Sequence, residues 1–291
     1  MNSNTVVVIP ARNEARTISS IVQEIVKLSL AVIVVDDGSA DETTYEAERV
    51  GAVVIRHRDT KGYTSAVLTG ISEANRRMAK HIVTLDGDGA HDPQDVPSLL
   101  SNHIDGGFSL TIGNRLLSSG LAAHSTKLLV NRLAWPMLQR ASGMHLPDGD
   151  YASGLRVYSH EFAQRMLIEG QHLKPFGLCF FSIFDAIRSG LKVSFFPCNV
   201  RYDASRLLYT NRGEFLDFLS TVIDLAEDKG FMASCLALQK AVQKKEKLRF
   251  ILCGKTTYAI PLGCADGYIF QEQCLFYDAF SCDDNVATLM I

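Results

Sequence analysis

Two short acidic stretches carry most of the chemistry this chain offers. One is Asp36-Asp37-Gly38-Ser39, with Asp41 two residues beyond; the other is Leu85-Asp86-Gly87-Asp88-Gly89-Ala90-His91-Asp92-Pro93. Asp86 and Asp88 flank one small residue, and Gly87 and Gly89 let the backbone turn tightly. Carboxylates spaced this way can face a single divalent cation, and hard oxygen ligands suit Mg²⁺ or Mn²⁺ better than zinc. A plainer reading also fits: a solvated turn, then a helix capped by Asp92 with Pro93 at its first position. Asp36 to Ser39 reads equally as a strand-to-helix turn whose side chains cap backbone amides.

Apolar runs mark the elements that must position these carboxylates. Residues 5–9, 31–35 and 52–56, the run just before Asp86, and residues 109–113 read as buried strands. Ile18, Ile21, Val22, Ile25 and Leu28 recur with helical spacing between the first two, and another helix is expected to start near Lys61-Gly62-Tyr63. Strands alternating with helices predict an α/β fold: a mostly parallel sheet covered by helices on both faces, with ligands at the carboxyl edge of the strands. Asp37 and Asp86 then share one rim. A catalytic domain is expected over residues 1–205, followed by a C-terminal helical extension over 206–291. In that extension residues 214–227 and 231–247 have helical composition, and 256–260 and 268–270 read as short strands in an otherwise unassigned tail.

Composition sets the outer bounds. With 291 residues, 47% of them hydrophobic, the chain can build a sizeable core. A net charge of −3 implies no electrostatic attraction to nucleic acid. Seven cysteines without a Cys-x-x-Cys pair read as reduced, mostly buried thiols. The chain passes directly into a strand without a secretory leader, and no apolar run reaches the roughly 20 residues of a membrane-spanning helix. The expected location is therefore cytoplasmic. Lys240, Lys244, Lys245, Lys247 and Arg249 form a basic cluster that is either a solvated helix face or a peripheral contact with an anionic membrane.

Six segments recur here in the order found in family 2 glycosyltransferases. They are Ile9-Pro10-Ala-Arg12-Asn13-Glu14, Val35 to Asp41, Lys61-Gly62-Tyr63, Leu85 to Pro93, Gly113-Asn114-Arg115, and Asp150-Tyr-Ala-Ser153-Gly154-Leu-Arg156. The chain most resembles the dolichol- or polyprenyl-phosphate sugar transferase branch, over roughly its first two hundred residues. The resemblance implies a GT-A type fold and a metal-dependent, inverting transfer from a nucleotide-sugar donor, a UDP- or GDP-sugar. The acceptor it implies is a polyprenyl phosphate, and a soluble hydroxyl acceptor fits the sequence equally well. Pro10, Arg12, Glu14 and Asp37 would line the pocket for base and ribose, with Lys61 near them. Asp88 would contact the metal directly, and Asp86, the second candidate metal residue, would lie beside the sugar or ribose. Arg201 and Arg206 would grip phosphates. Arg12 replaces a tyrosine common in relatives, and Ala90 replaces a glutamine that sometimes adds a metal ligand.

Arg115, at a strand's carboxyl edge, is placed to bind phosphate through its planar fork; Lys127 and Arg132 are further basic candidates. Asp148 and Asp150 have two readings. Either carboxylate could deprotonate an alcohol acceptor as general base, or serve loop structure, with Asp150 pairing to Arg156 or capping backbone amides. Two other functions compete. Asp86-Gly-Asp88 resembles the nucleophile motif of haloacid-dehalogenase-like phosphohydrolases, with Asp86 the covalent residue. A non-catalytic sugar-nucleotide binding protein is the third possibility.

Overall fold

The computed structural model describes residues 4–117, 137–139, 141–175, 177–201, 212–226, 229–243, 248–253, 256–261, 274–279 and 289–290. It forms two compact units, Met1–Leu121 with Asp150–Tyr202, and Ala122–Gly149 with Asp203–Ile291.

The first unit is built on a seven-stranded sheet: β1 Thr5–Ala11, β2 Ala31–Asp36, β3 Val53–Arg56, β4 His81–Thr84, β5 Leu110–Asn114, β6 Arg156–Ser159 and β7 Val193–Pro197, in spatial order β3-β2-β1-β4-β6-β5-β7. Every pairing is parallel except those of β6, which runs antiparallel between β4 and β5. The mostly parallel α/β sheet is as expected. The reversed strand β6 was not legible, because four residues beginning with a buried arginine carry no strand-like alternation.

Helices α1 Ile18–Lys27, α2 Thr43–Glu48, α3 Tyr63–Arg76, α4 Val96–Gly106, α5 His160–Glu169 and α6 Gly177–Arg188 complete this unit. Ile18, Ile21, Val22 and Ile25 of α1 are buried in a core with Val7, Ile9, Val34 and Val83 of the sheet. The 3.6-residue spacing thus covers one face of a sheet whose central strands are apolar on both sides. On α3, Gly70 permits close approach: a Cβ there would lie 2.1 Å from a methyl of Val8 on β1. Asp92 caps a short 3₁₀ turn, Pro93–Asp95, by accepting from the Gln94 N–H, and α4 follows.

In the second unit, α7 Arg212–Leu225 and α8 Lys229–Gln243 pack together, with Phe218, Leu219, Val222 and Cys235 buried and Gln239 donating to Ser220 at 2.8 Å. The tail adds a four-stranded antiparallel sheet to the helical extension: β8 Leu248–Cys253, β9 Thr256–Pro261, β10 Cys274–Ala279 and β11 Leu289–Met290. β9 covers the strand expected at 256–260, whereas 268–270 lies outside the described residues. Among the described residues no helix is long and apolar enough to cross a membrane. Cys179, Cys198 and Cys235 are free and buried, and burial pushes the thiols up, Cys198 to about 12 and Cys235 to about 11.

Candidate active site

Both acidic loops hang from the end of β1. The Ala11 carbonyl accepts from the Asp37 N–H at 2.9 Å, and the Pro10 carbonyl accepts from the Gly87 N–H at 3.3 Å. β1 lies between β2 and β4 and parallel to both, and this brings two motifs about fifty residues apart in sequence to one rim, as the alternation predicts. The 12–15 loop is clamped to the same edge: Asn13 N–H donates to Ser39 Oγ, Ala40 N–H to Asn13 Oδ1, Glu14 N–H to Thr43 Oγ1 and Ala15 N–H to Asp41 Oδ2. Thr17 Oγ1 donates to the Gly87 carbonyl at 2.7 Å, tying the start of α1 to the loop carrying Asp86 and Asp88.

The two aspartates that end β2 differ in role. Asp36 is fully buried and accepts from the Ser39 N–H and the Thr44 hydroxyl, so it shapes its own turn. Asp37, also buried, organises a different loop. Its Oδ1 accepts from Lys61 N–H at 2.8 Å and lies 2.7 Å from His57 Nδ1, and its Oδ2 accepts from Gly62 N–H at 2.8 Å. His57 Nε2 in turn lies 3.0 Å from Thr69 Oγ1. The side chains of Arg12 and Lys61 are exposed, and Glu14 is half-buried. His57 was invisible to sequence reasoning, since nothing local to residue 57 signals a partner twenty positions earlier.

Asp86 stands in a slot. Its Oδ1 accepts from the Tyr63 hydroxyl at 3.1 Å, its Oδ2 lies 3.7 Å from His91 Nε2, and Gly154 closes one side. A Cβ at residue 154 would sit 2.0 and 2.2 Å from the two carboxylate oxygens. Burial, and then the Asp86 charge, raise the Tyr63 phenol well above its ordinary value, so it stays a donor. Asp88 Oδ1 accepts from the Ala90 N–H at 2.8 Å, which fixes its side chain on the turn. Among the described residues no group of three His, Cys, Asp or Glu side chains is arranged to hold a metal ion alone. Two carboxylates on a tight turn suit Mg²⁺ or Mn²⁺ only when substrate phosphates complete the shell, which is the usual arrangement for such ions. The donor set therefore fits the expected metal in the presence of a diphosphate.

Arg115 and Asp150 form one buried unit. Nε and Nη2 of Arg115 donate to the Asp150 carboxylate at 2.5 and 3.0 Å, and the Arg115 backbone N–H points to it at 3.4 Å. Here the structure corrects the expected Asp150–Arg156 pair. Arg156 is buried and donates instead to the carbonyls of Tyr151, Ser153 and Cys179 and to the Ser182 hydroxyl. Arg156, the first residue of β6, is thus held by the 151–153 turn and by α6, while Arg115, directly after β5, meets Asp150. Asp148 is exposed. Arg201 bonds Glu24 at 2.8 Å and Asp92 at 2.6 Å, and it holds the Glu24 carboxyl below the usual range. Arg206, Lys127 and Arg132 lie outside the described residues, as do Lys244, Lys245 and Lys247.

The model of the family described as Glycosyl transferase family 2 matches residues 6–165, the segment that contains both acidic loops and the Arg115–Asp150 pair. The chain belongs to glycosyl transferase family 2. It is 29% identical over 188 residues to a polyprenol monophosphomannose synthase of Mycolicibacterium smegmatis, covering 60% of this chain and 68% of that one. It is 26% identical over 215 residues to a UDP-N-acetylglucosamine–dolichyl-phosphate N-acetylglucosaminyltransferase of Methanococcus voltae, covering 67% and 84%. Among solved structures, glucosyl-3-phosphoglycerate synthase of Mycobacterium tuberculosis, in complex with Mn²⁺ and UDP-glucose, superposes with a TM-score of 0.58 at 21% identity, covering 89% of this family 2 chain and 86% of that protein. The fold is thus the GT-A type expected from sequence, and family membership sets aside the phosphohydrolase alternative.

Proposed function

We propose that this family 2 glycosyltransferase transfers a sugar, with inversion, from a UDP- or GDP-sugar to an acceptor, using Mg²⁺ or Mn²⁺. The observation that carries this reading is the common anchoring of the Asp37 and Asp86–Asp88 loops on the end of β1. That arrangement offers one end of a rim to a nucleoside and the other to a diphosphate. Names of relatives support the donor class: one acts with UDP-N-acetylglucosamine, and the structural neighbour was solved with UDP-glucose and Mn²⁺.

Asp88, with Asp86 beside it, would hold the metal. When bound, the cation neutralises charge growing on the departing nucleoside diphosphate. The protein's own residues do the rest. Pro10, Arg12 and Glu14 line the nucleoside end, Asp37 shapes the loop bearing Lys61, and Tyr63 with Gly154 orients Asp86. Holding donor and acceptor in line replaces a random encounter with a positioned attack on the anomeric carbon. The buried Arg115–Asp150 pair orders the loop that leads into Ser153 and Gly154. Two relatives are named for polyprenol or dolichyl phosphate, which favours a lipid phosphate acceptor reached by peripheral membrane contact on the cytoplasmic side. An already ionised acceptor needs no general base, consistent with Asp150 being tied to Arg115.

The test is a donor and acceptor screen with the purified protein. UDP and GDP release is read from UDP- and GDP-sugars with Mn²⁺ or chelator, and with polyprenyl phosphate in anionic vesicles or soluble alcohols as acceptor. Metal-dependent release that requires polyprenyl phosphate supports the reading. Transfer only to soluble alcohols would overturn the lipid acceptor, and absence of any transfer with every donor would overturn the activity.

A further inference from the structure

The bonds around Tyr63 connect the two acidic motifs to each other. Lys61 and Gly62, whose N–H groups both bond the Asp37 carboxylate at 2.8 Å, directly precede Tyr63, the first residue of α3. Gly62 has φ +91°, and a Cβ there would lie 2.7 Å from Pro175, so only glycine makes this approach without displacement. From the other side, Thr64 N–H donates to the Pro175 carbonyl at 2.6 Å, and Thr64 Oγ1 donates to the Lys174 carbonyl at 3.0 Å. The chain on both sides of Tyr63 is therefore fixed, and its hydroxyl reaches Asp86 Oδ1 at 3.1 Å.

We propose that Tyr63 is a positioning residue of the transfer reaction, and that Asp37, through the Lys61–Gly62 amides and Tyr63, sets the orientation of the Asp86 carboxylate. The inference rests on the donor-site reading above. It assigns Asp37 a role beyond the nucleoside: the acidic motif ending β2 governs the geometry of the motif beyond β4. A second consequence is a division of labour at Asp86. Gly154 supplies the space for the carboxylate, and Tyr63 supplies the donor that chooses its rotamer.

The decisive measurement uses the ligand-free full chain. Melting temperatures and denaturant midpoints are compared for wild type, Tyr63→Phe, Asp86→Ala and the double variant. Tyr63→Phe keeps the ring and deletes only the hydroxyl, so folding is preserved. The expected result is non-additivity, with Tyr63→Phe costing clearly more stability in the wild-type background than beside Asp86→Ala, where only the hydroxyl's bond to the buried Cys179 thiol remains to be lost. Amide exchange at Lys61, Gly62 and Tyr63 should accelerate in Asp37→Asn. In the transfer assay, Tyr63→Phe should lower kcat roughly tenfold or more while donor KM stays within about threefold. Additive stabilities, unchanged exchange in Asp37→Asn, or a wild-type kcat for Tyr63→Phe would each overturn the proposal. A wild type that transfers nothing would instead count against the proposed activity, and the stability cycle and exchange data would still decide the Asp37–Tyr63–Asp86 linkage.

Discussion

Asp88 and Asp150 are both carboxylates near the rim, yet their surroundings give them opposite behaviour. Asp88 accepts from the Ala90 amide on a tight, glycine-flanked turn, a placement that suits sharing a cation with a diphosphate. Asp88→Asn should therefore abolish the Mn²⁺-dependent part of UDP or GDP affinity, by roughly tenfold or more, since even outer-shell changes cost 10–100-fold in metal affinity. Calorimetry on both proteins, with Mn²⁺ and with chelator, checks this; equal affinities in all four conditions would remove Asp88 from the site. Asp150 has no exposure, and both its oxygens face a guanidinium that is itself buried. Removing one partner of such a pair strands the other charge, at a cost of about 3–5 kcal/mol. Asp150→Asn should lower the melting temperature by several degrees and weaken donor binding with it. A fall in transfer rate alone, with stability and nucleotide affinity intact, would identify Asp150 as a base instead.

Helix α3 matters at the next scale because its first residue is Tyr63 and its middle is Gly70. A Cβ at residue 70 would meet Val8 at 2.1 Å and Val35 at 3.2 Å, both buried side chains of central strands. Two effects oppose each other in Gly70→Ala. Better helix propensity contributes about 1 kcal/mol, while overpacking a dense helix–sheet contact costs about 1–3 kcal/mol. The clash with packed methyl groups wins, so the variant should be less stable than wild type in chemical denaturation. It should also lose transfer activity disproportionately, because pushing α3 outward draws Tyr63 from Asp86. A variant at least as stable as wild type would show that α3 can shift without strain.

At the scale of the whole molecule, two histidines should make folding sensitive to acid. His103 of α4 is buried, with Nδ1 3.0 Å from Thr111 Oγ1 of β5, and its ring meets His81 of β4 edge-on with centroids 5.4 Å apart. Burial, with a smaller contribution from His81, lowers His103 to about 4, and burial lowers His81 as well. Unfolded histidine titrates near 6.5, so between these values the unfolded chain binds more protons. Stability is complete above about pH 6.5 and declines as pH falls toward 4, by roughly 3 kcal/mol for His103 alone. Denaturation curves at pH 7.5, 6.5 and 5.5 should show this slope. His103→Gln should flatten it over a range where most carboxylates remain ionised. An unchanged slope in that variant would assign the acid sensitivity to other groups.

What the sequence determined by itself was everything with a short-range signature. Apolar runs ending in Pro10, Asp36 and Asp86, alternating with the helical spacing of residues 18–28, fixed the α/β class and the edge where ligands gather, because strand period, helix period and glycine turns act within a few residues. The tertiary structure decided which polar groups meet. Asp150 lies 35 residues from Arg115, Asp86 lies 23 from Tyr63, and Asp37 lies 20 from His57. Those separations close only through the strand order of the sheet and the reversal of β6, which brings its entry, with Gly154, to the edge where Asp86 stands. Such pairings follow from burial, where a charge must find whichever partner the fold places within reach.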